Sequence, residues 1–361
     1  MPRKYNFYAG PATLPYSVLE QIQSEIIDYK GEGLSMIETS HRSKMYDTVH
    51  NETIELLREL MGIPENYHVL FLGGGATLQF AMVPMNLMRD GKSCDFIVSG
   101  SWAQKAIKDA QKYGEVRVAY DGSSNSFTSL PSANEVTTGK NSAYLHLTSN
   151  ETIGGVQWKV FPKPEGVPVV ADMSSDILSR PVTVSDFGII YAGAQKNMGP
   201  AGVTVVIIRD DLVQNSRDGL PAYLSYKTHA DKNSLYNTPP VFSIYAVNLV
   251  LKWIKEHGGV ESIGEKNEQK ADAIYQAIER NGEFYSCPVD EKVRSTMNVV
   301  FRLPTEDLEK QFIKEAEGKG MLGLKGHRSV GGCRASLYNA MPLDGAQSLA
   351  AFMDDFARKH G

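Results

Sequence analysis

Short apolar runs and amphipathic stretches alternate through the first two-thirds of this 361-residue chain. The runs Val69–Leu72, Phe96–Val98, Val169–Ala171, Ile189–Tyr191 and Val203–Ile208 are rich in β-branched residues and predict buried strands. Pro168 stands at the leading edge of the third run, where a missing N–H is tolerated. Between them, Val18, Leu19, Ile22, Ile26 and Ile27 recur at helical spacing within Ser17–Lys30, and Thr77–Met88 and Trp102–Lys112 also predict helices. Strands alternating with helices imply an α/β fold around a mostly parallel sheet.

The pattern changes near His257-Gly-Gly259. Beyond it come a charged amphipathic helix, Glu261–Arg280, and a strand, Met297–Arg302. A helix over Glu306–Glu317, a strand over Arg334–Tyr338 and a last helix over Asp344–Arg358 follow. This second part predicts a smaller α+β domain. Asp121–Pro131 is a loop by composition. There is no internal repeat and no low-complexity segment.

Composition narrows the function classes. A net charge of −5 with 22% charged residues provides neither a nucleic-acid footprint nor a polybasic membrane patch. The N-terminal residues lack an apolar stretch, so no secretory signal is expected, and every apolar run is far shorter than a membrane span. Cys94, Cys287 and Cys333 are an odd, widely spaced set with no metal-binding pattern; a reducing, cytosolic setting is expected, with no metal.

Candidate chemistry gathers where strands end. In Tyr191-Ala-Gly-Ala-Gln-Lys196-Asn-Met-Gly-Pro-Ala-Gly202, one lysine follows an apolar strand among small residues. Desolvation lowers an amine's pKa, and a neutral amine attacks carbonyls, which is the setting of a Schiff-base lysine. Gly73-Gly74-Gly75-Ala76-Thr77 runs from a strand into a helix start, where backbone N–H groups can approach a phosphate. It is neither a Walker A motif nor GxGxxG. Asp172 ends the third strand, Thr152 follows another in Asn150-Glu-Thr152-Ile-Gly-Gly155, and Trp102 opens a helix with an indole able to stack on a planar ring. Two His-Arg pairs, His41-Arg42 and His327-Arg328, could with Arg334 clamp phosphate or carboxylate. Taken singly, each feature has a plainer reading. Lys196 could be a loop lysine, the glycines a strand-to-helix turn, Asp172 an N-cap, Thr152 a loop cap, Trp102 a core residue, and the cations solvated surface. Together they supply the parts needed to hold a phosphorylated pyridine aldehyde.

At this point the chain resembles the phosphoserine aminotransferases, a class-V family of fold-type I pyridoxal-phosphate enzymes. The resemblance runs from Asn6-Phe-Tyr-Ala-Gly-Pro-Ala-Thr-Leu-Pro15 through Ser40-His-Arg42, Asn150–Gly154, the Lys196 motif and Asn237-Thr-Pro-Pro240 to Lys325–Asn339. It implies a large cofactor domain over residues 16–260 and a small domain formed by residues 1–15 with 261–361. It implies Lys196 as the Schiff-base lysine, Asp172 on the pyridine nitrogen, Trp102 on the ring face and Thr152 on the ring hydroxyl. Ala76, Thr77 and Gln195 are expected on the cofactor phosphate. Asn237 and Thr238 are expected to reach the phosphate of a neighbouring subunit's cofactor, which makes the protein a homodimer with shared sites. Arg334 is expected on the substrate α-carboxylate, and His41, Arg42, His327 and Arg328 on the substrate phosphate or the distal carboxylate of glutamate. The implied reaction is ping-pong transfer of the glutamate amino group to 3-phosphohydroxypyruvate, in serine biosynthesis, with 4-phosphohydroxythreonine as a possible second substrate. Many relatives carry arginine at the position of Thr77, and some serine at that of Ala9, so phosphate recognition here leans on the His-Arg pairs.

Other readings fit less of the chain. An alanine–glyoxylate aminotransferase would share the fold. A cysteine desulfurase needs a mobile cysteine and a histidine on the ring, where this chain has Trp102. A regulator on the same fold would add a DNA-binding domain, which a motif starting at Asn6 does not lead one to expect. A phosphate-binding module leaves Lys196 and Asp172 without joint use.

Overall fold

The computed structural model describes residues 3–89 and 91–361. Seven strands form the central sheet, in the order Tyr67–Leu72, Thr204–Arg209, Ile189–Gly193, Val169–Asp172, Ser142–Thr148, Ser93–Val98, Val116–Asp121. Thr204–Arg209 runs antiparallel to both neighbours; the other pairings are parallel. Such a sheet needs cover on both faces. The helices Gly75–Leu87 and Ser101–Ala110 pack over one face, around Phe80, Val83, Phe96 and Ile107. On the other, Lys44–Met61 and Val241–Glu256 pack through Leu57, Val247 and Leu251.

The expected strands are present, with ends shifted by one to three residues. Among the elements with no counterpart in the expected set are two long helices, Lys44–Met61 and Val241–Glu256, and the edge strand Val116–Asp121. Lys44–Met61 buries His50 and Thr53 beside Leu56 and Leu57, so its inner stripe is partly polar. Asn248 on the facing helix donates to Thr53 Oγ1 at 3.2 Å and His50 Nε2 lies 2.9 Å from Asn233 O, partners these groups gain only after packing. Val241–Glu256 is apolar around most of its circumference and has no solvated face to mark its period. The first helix stops at Glu25 rather than continuing to Lys30. There Asp28 Oδ1 accepts from Gly33 N at 2.8 Å and Lys30 takes φ 53°, a tight turn that replaces the last helical turn.

A separate core is formed by Phe7 with residues drawn from Ala271 to Ala357. It joins the helices Gly259–Arg280, Glu306–Gly318 and Leu343–His360 to the antiparallel pair Asn298–Phe301 and Cys333–Ser336. Tyr5–Asn6 pairs with Met321–Leu322, which draws the N-terminal segment into this part of the molecule. Among the described residues, no helix is long and apolar enough to cross a membrane.

Candidate active site

Parallel strands deliver their carboxyl ends to one edge of the sheet, where open α/β folds place their sites. A cavity of about 280 Å³ lies there, lined by Ala76, Thr77, Trp102, Thr152, Asp172, Gln195 and Lys196 among others. Seven of the expected cofactor contacts thus meet in one space, although they come from five segments of the chain.

Lys196 follows the strand Ile189–Gly193 in a turn closed by Met198 N and Gly199 N on Ala194 O. Its ammonium donates to Thr152 Oγ1 at 2.7 Å and lies 5.6 Å from the centre of the Trp102 ring. Burial pushes its pKa down to about 8; Asp172 opposes the shift and Arg334 adds to it. The close turn needs small neighbours: a Cβ at Gly10 would stand 3.4 Å from Lys196 Cγ, at a glycine with φ 137°. Burial raises the pKa of Asp172, and hydrogen bonding from Ser174 opposes it; Ser174 N donates to Oδ1 at 2.9 Å. An anion held in so dry a place gains from a cationic partner.

The helix Gly75–Leu87 opens with Gly74 at φ 85° and no side-chain cap. Leu78 N is the first to return a bond, to Gly74 O, so the N–H groups of Gly75, Ala76 and Thr77 stand at the cavity wall without a backbone partner. N–H groups left free at a helix start suit an anion, with favourable helix-end charge.

Arg334 lies on the strand Cys333–Ser336 and lines an adjoining cavity of about 260 Å³, with Phe127, Ile153 and Arg302. It is 8% exposed; its Nη1 donates to Thr152 O at 3.3 Å and its Nε has no partner. His327 is partly exposed, and its pKa falls through burial and through the positive charges of Arg334, Arg328 and Lys105. Arg328 is exposed. Lys105 lies 4.2 Å from the Trp102 ring centre, a cation that sequence reasoning left without a role.

The remaining expected residues are elsewhere. Asn237 and Thr238 do not line the cavity; both are exposed, and Thr238 Oγ1 lies 3.2 Å from His41 Nδ1. They form a second polar cluster on the surface of the same chain, with the exposed Arg42 next to His41 in sequence. Sequence reasoning also passed over Glu151, although it stands inside the quoted Asn150–Gly155 motif; its burial, at 1% exposed, and its bonds to Trp102 N and Ala103 N appear only in the structure.

The cavity fits pyridoxal phosphate on its own terms. It offers a desolvated amine, a buried acid, a flat aromatic wall and a free helix terminus. Trp102 Nε1 and Thr148 Oγ1, both buried, lack partners there. Fold and site together define an enzyme of Schiff-base chemistry.

Comparison with known proteins narrows this. The family model described as "Aminotransferase class-V" matches residues 4–349. The phosphoserine aminotransferase of Geobacillus kaustophilus is 53% identical over 359 residues, covering 99% of both chains. The solved structure of phosphoserine aminotransferase from Bacillus circulans subsp. alkalophilus superposes with a TM-score of 0.98 at 53% identity, over 99% of both chains. A phosphoserine aminotransferase structure from Trichomonas vaginalis with bound pyridoxal phosphate gives 0.90 at 36% identity, over 97% of this chain and 99% of that one. The chain belongs to the class-V aminotransferases and, within them, to the phosphoserine aminotransferase family.

Proposed function

We propose that this chain performs phosphoserine aminotransferase chemistry in the Lys196 cavity, with the residue roles set out below. It is a pyridoxal-phosphate-dependent transaminase, and the reaction moves the amino group of L-glutamate to 3-phosphohydroxypyruvate, giving O-phospho-L-serine and 2-oxoglutarate in serine biosynthesis. The observation that carries the residue assignment is the convergence of Lys196, Asp172, Trp102 and Thr152 on one cavity, with the lysine amine largely desolvated.

When bound, pyridoxal phosphate supplies an aldehyde for the amine and an electron sink for the pair left when the substrate Cα loses its proton. Lys196 would tether the cofactor and, as a free amine, serve as the base at the substrate Cα; a pKa near 8 leaves part of the amine neutral for both tasks at neutral pH. Asp172 holds the proton on the ring nitrogen. Trp102 covers the ring face, and Thr152 Oγ1, already within 2.7 Å of the amine, bonds the ring hydroxyl. The N–H groups of Ala76 and Thr77, the Thr77 hydroxyl and Gln195 hold the phosphate.

Arg334 takes the α-carboxylate of each substrate in turn. Its free Nε and its bond to the Thr152 carbonyl aim it toward the cofactor pocket from the adjoining cavity. His327 and Arg328 bind the substrate phosphate or the distal carboxylate of glutamate, and a substrate lacking that charge leaves them unpaired.

The surface cluster of His41, Arg42, Asn237 and Thr238 acts on a neighbouring subunit's site, which makes the working unit a homodimer. The contact between His41 and Thr238 supports moving both together. The two separate cores support a large domain of residues 16–260 and a small one of 1–15 with 261–361. We assign the protein to the cytoplasm; its free cysteines agree with a reducing compartment. 4-Phosphohydroxythreonine is a candidate second substrate.

The test is an amino-acceptor panel with glutamate as donor: 3-phosphohydroxypyruvate against pyruvate, glyoxylate and oxaloacetate. The phosphorylated acceptor is expected to give the highest kcat/KM. Preference for an unphosphorylated acceptor overturns the assignment of substrate.

A further inference from the structure

Glu151 is buried, and both carboxylate oxygens are engaged. Oε2 accepts from Trp102 N at 3.1 Å and Oε1 from Ala103 N at 3.0 Å. Those N–H groups belong to the first turn of the helix Ser101–Ala110, whose N-cap residue is Gly100 and which has no side-chain cap of its own. A carboxylate from a distant segment therefore caps this helix, and its charge suits the helix N-terminus. Gly100 makes the room: a Cβ there would lie 2.5 Å from Glu151 Cδ.

A serine at position 100 could cap the helix locally without burying a charge. Burial instead lifts the Glu151 pKa to about 7; the two N–H bonds work against the shift, the negative Asp172 adds to it and the positive Lys196 opposes it. The location of Glu151 supplies a reason for this arrangement. It sits in the short pair Asn150–Glu151 with Val156–Gln157, and the next residue, Thr152, takes the Lys196 hydrogen bond on its side chain and the Arg334 bond on its carbonyl. The same backbone turn thus touches the Trp102 helix, the lysine and the arginine.

We propose that Glu151 is a positioning residue for the transamination: by capping the Trp102 helix from the Thr152 turn, it sets the gap between the indole face and the Thr152–Lys196 pair into which the cofactor ring fits. This rests on the reading of the cavity as the pyridoxal-phosphate site. Glu151 itself does not line the cavity.

The experiment is a double-mutant cycle on the holoenzyme, with Glu151→Ala and Glu151→Gln each made with Trp102 retained and with Trp102→Leu. Three quantities are read: the Schiff-base absorbance band, its induced circular dichroism, and the single-turnover rate with glutamate. Glu151→Ala is expected to keep the band, lose most of the induced dichroism and slow the single turnover roughly tenfold to a hundredfold, the scale of an ångström-level misplacement. Glu151→Gln, which keeps one acceptor oxygen, falls between. With Trp102→Leu in place, either change has little further effect on rate or dichroism. The same fold-loss in both backgrounds means that Glu151 acts on general stability, and this overturns the proposal, as does unchanged dichroism and rate in Glu151→Ala. If Glu151→Ala does not fold, the Glu151→Gln cycle decides by the same criterion. A wild-type protein with no Schiff-base band sinks the cofactor reading and this proposal together, whereas a normal band with additive effects sinks this proposal alone.

Discussion

Replacing Gly100 by alanine adds one methyl group where backbone conformation offers no objection. Gly100 has φ 168°, extended backbone that any residue adopts. At such a site, alanine normally stabilises a protein by about 0.4–1 kcal/mol, because the unfolded chain loses freedom. The surroundings reverse that sign. The new Cβ would stand 2.5 Å from Glu151 Cδ, 2.7 Å from Oε2 and 2.8 Å from Cγ. Carbon atoms pack at about 3.5–4.0 Å, so the carboxylate has to withdraw by about 1 Å. Bonds of 3.0 and 3.1 Å do not survive such a withdrawal, and the Ala103 N–H lies in the interior. Each hydrogen bond to a charged group contributes about 1.5–3 kcal/mol. Allowing for partial relaxation and the entropic gain, Gly100→Ala should destabilise by about 2–4 kcal/mol. The check is the urea midpoint at unchanged denaturant slope, together with the induced dichroism of the cofactor band. In a Glu151→Ala background the clash is absent, and Gly100→Ala should then be neutral or stabilising. A single Gly100→Ala variant within about 0.5 kcal/mol of the parent, the range of ordinary surface substitutions, refutes the reasoning.

Lys196→Ala should abolish turnover and the Schiff-base absorbance band while leaving the folded protein able to bind pyridoxal phosphate reversibly; full activity in this variant removes the tether assignment. In cofactor-free protein, the rate of Schiff-base formation should climb with pH and level off above about 8, because the neutral amine is the reactive form and burial sets its pKa near that value; an inflection near the ordinary lysine range contradicts the burial argument. Arg334→Ala should raise KM for both glutamate and the keto acid, since one guanidinium serves both carboxylates, and an effect on one substrate alone contradicts that sharing. Mixing Lys196→Ala protein with Thr238→Ala protein, each inactive or weak alone, should restore activity through hybrid dimers that contain one intact site; no recovery after verified subunit exchange argues against shared sites.

The chain's own pattern was enough to locate the α/β core, its strand ends and the lysine. Apolar runs have nowhere to go but the interior, and the small residues around Lys196 mark it as a candidate, while the burial of its amine comes from the distant segments that line the cavity. The family resemblance assigned Asp172, Trp102, Thr152, Ala76, Thr77 and Gln195, and the structure gathers them at one cavity. Other features could not be read in advance because they arise from contacts between distant segments. The helix Lys44–Met61 hides a polar inner stripe whose partner, Asn248, lies 195 residues away. His41 meets Thr238 across 197 residues, which sets that cluster apart from the cavity. Glu151 looked like one more polar residue in a loop motif. Tertiary packing alone removed its water, aimed it at the Trp102 helix and made a glycine at position 100 necessary. Local sequence determined which segments are apolar and which residues carry chemistry. The meeting of segments determined which of those groups lose their solvent, and a carboxylate or amine without solvent is controlled by its few remaining neighbours.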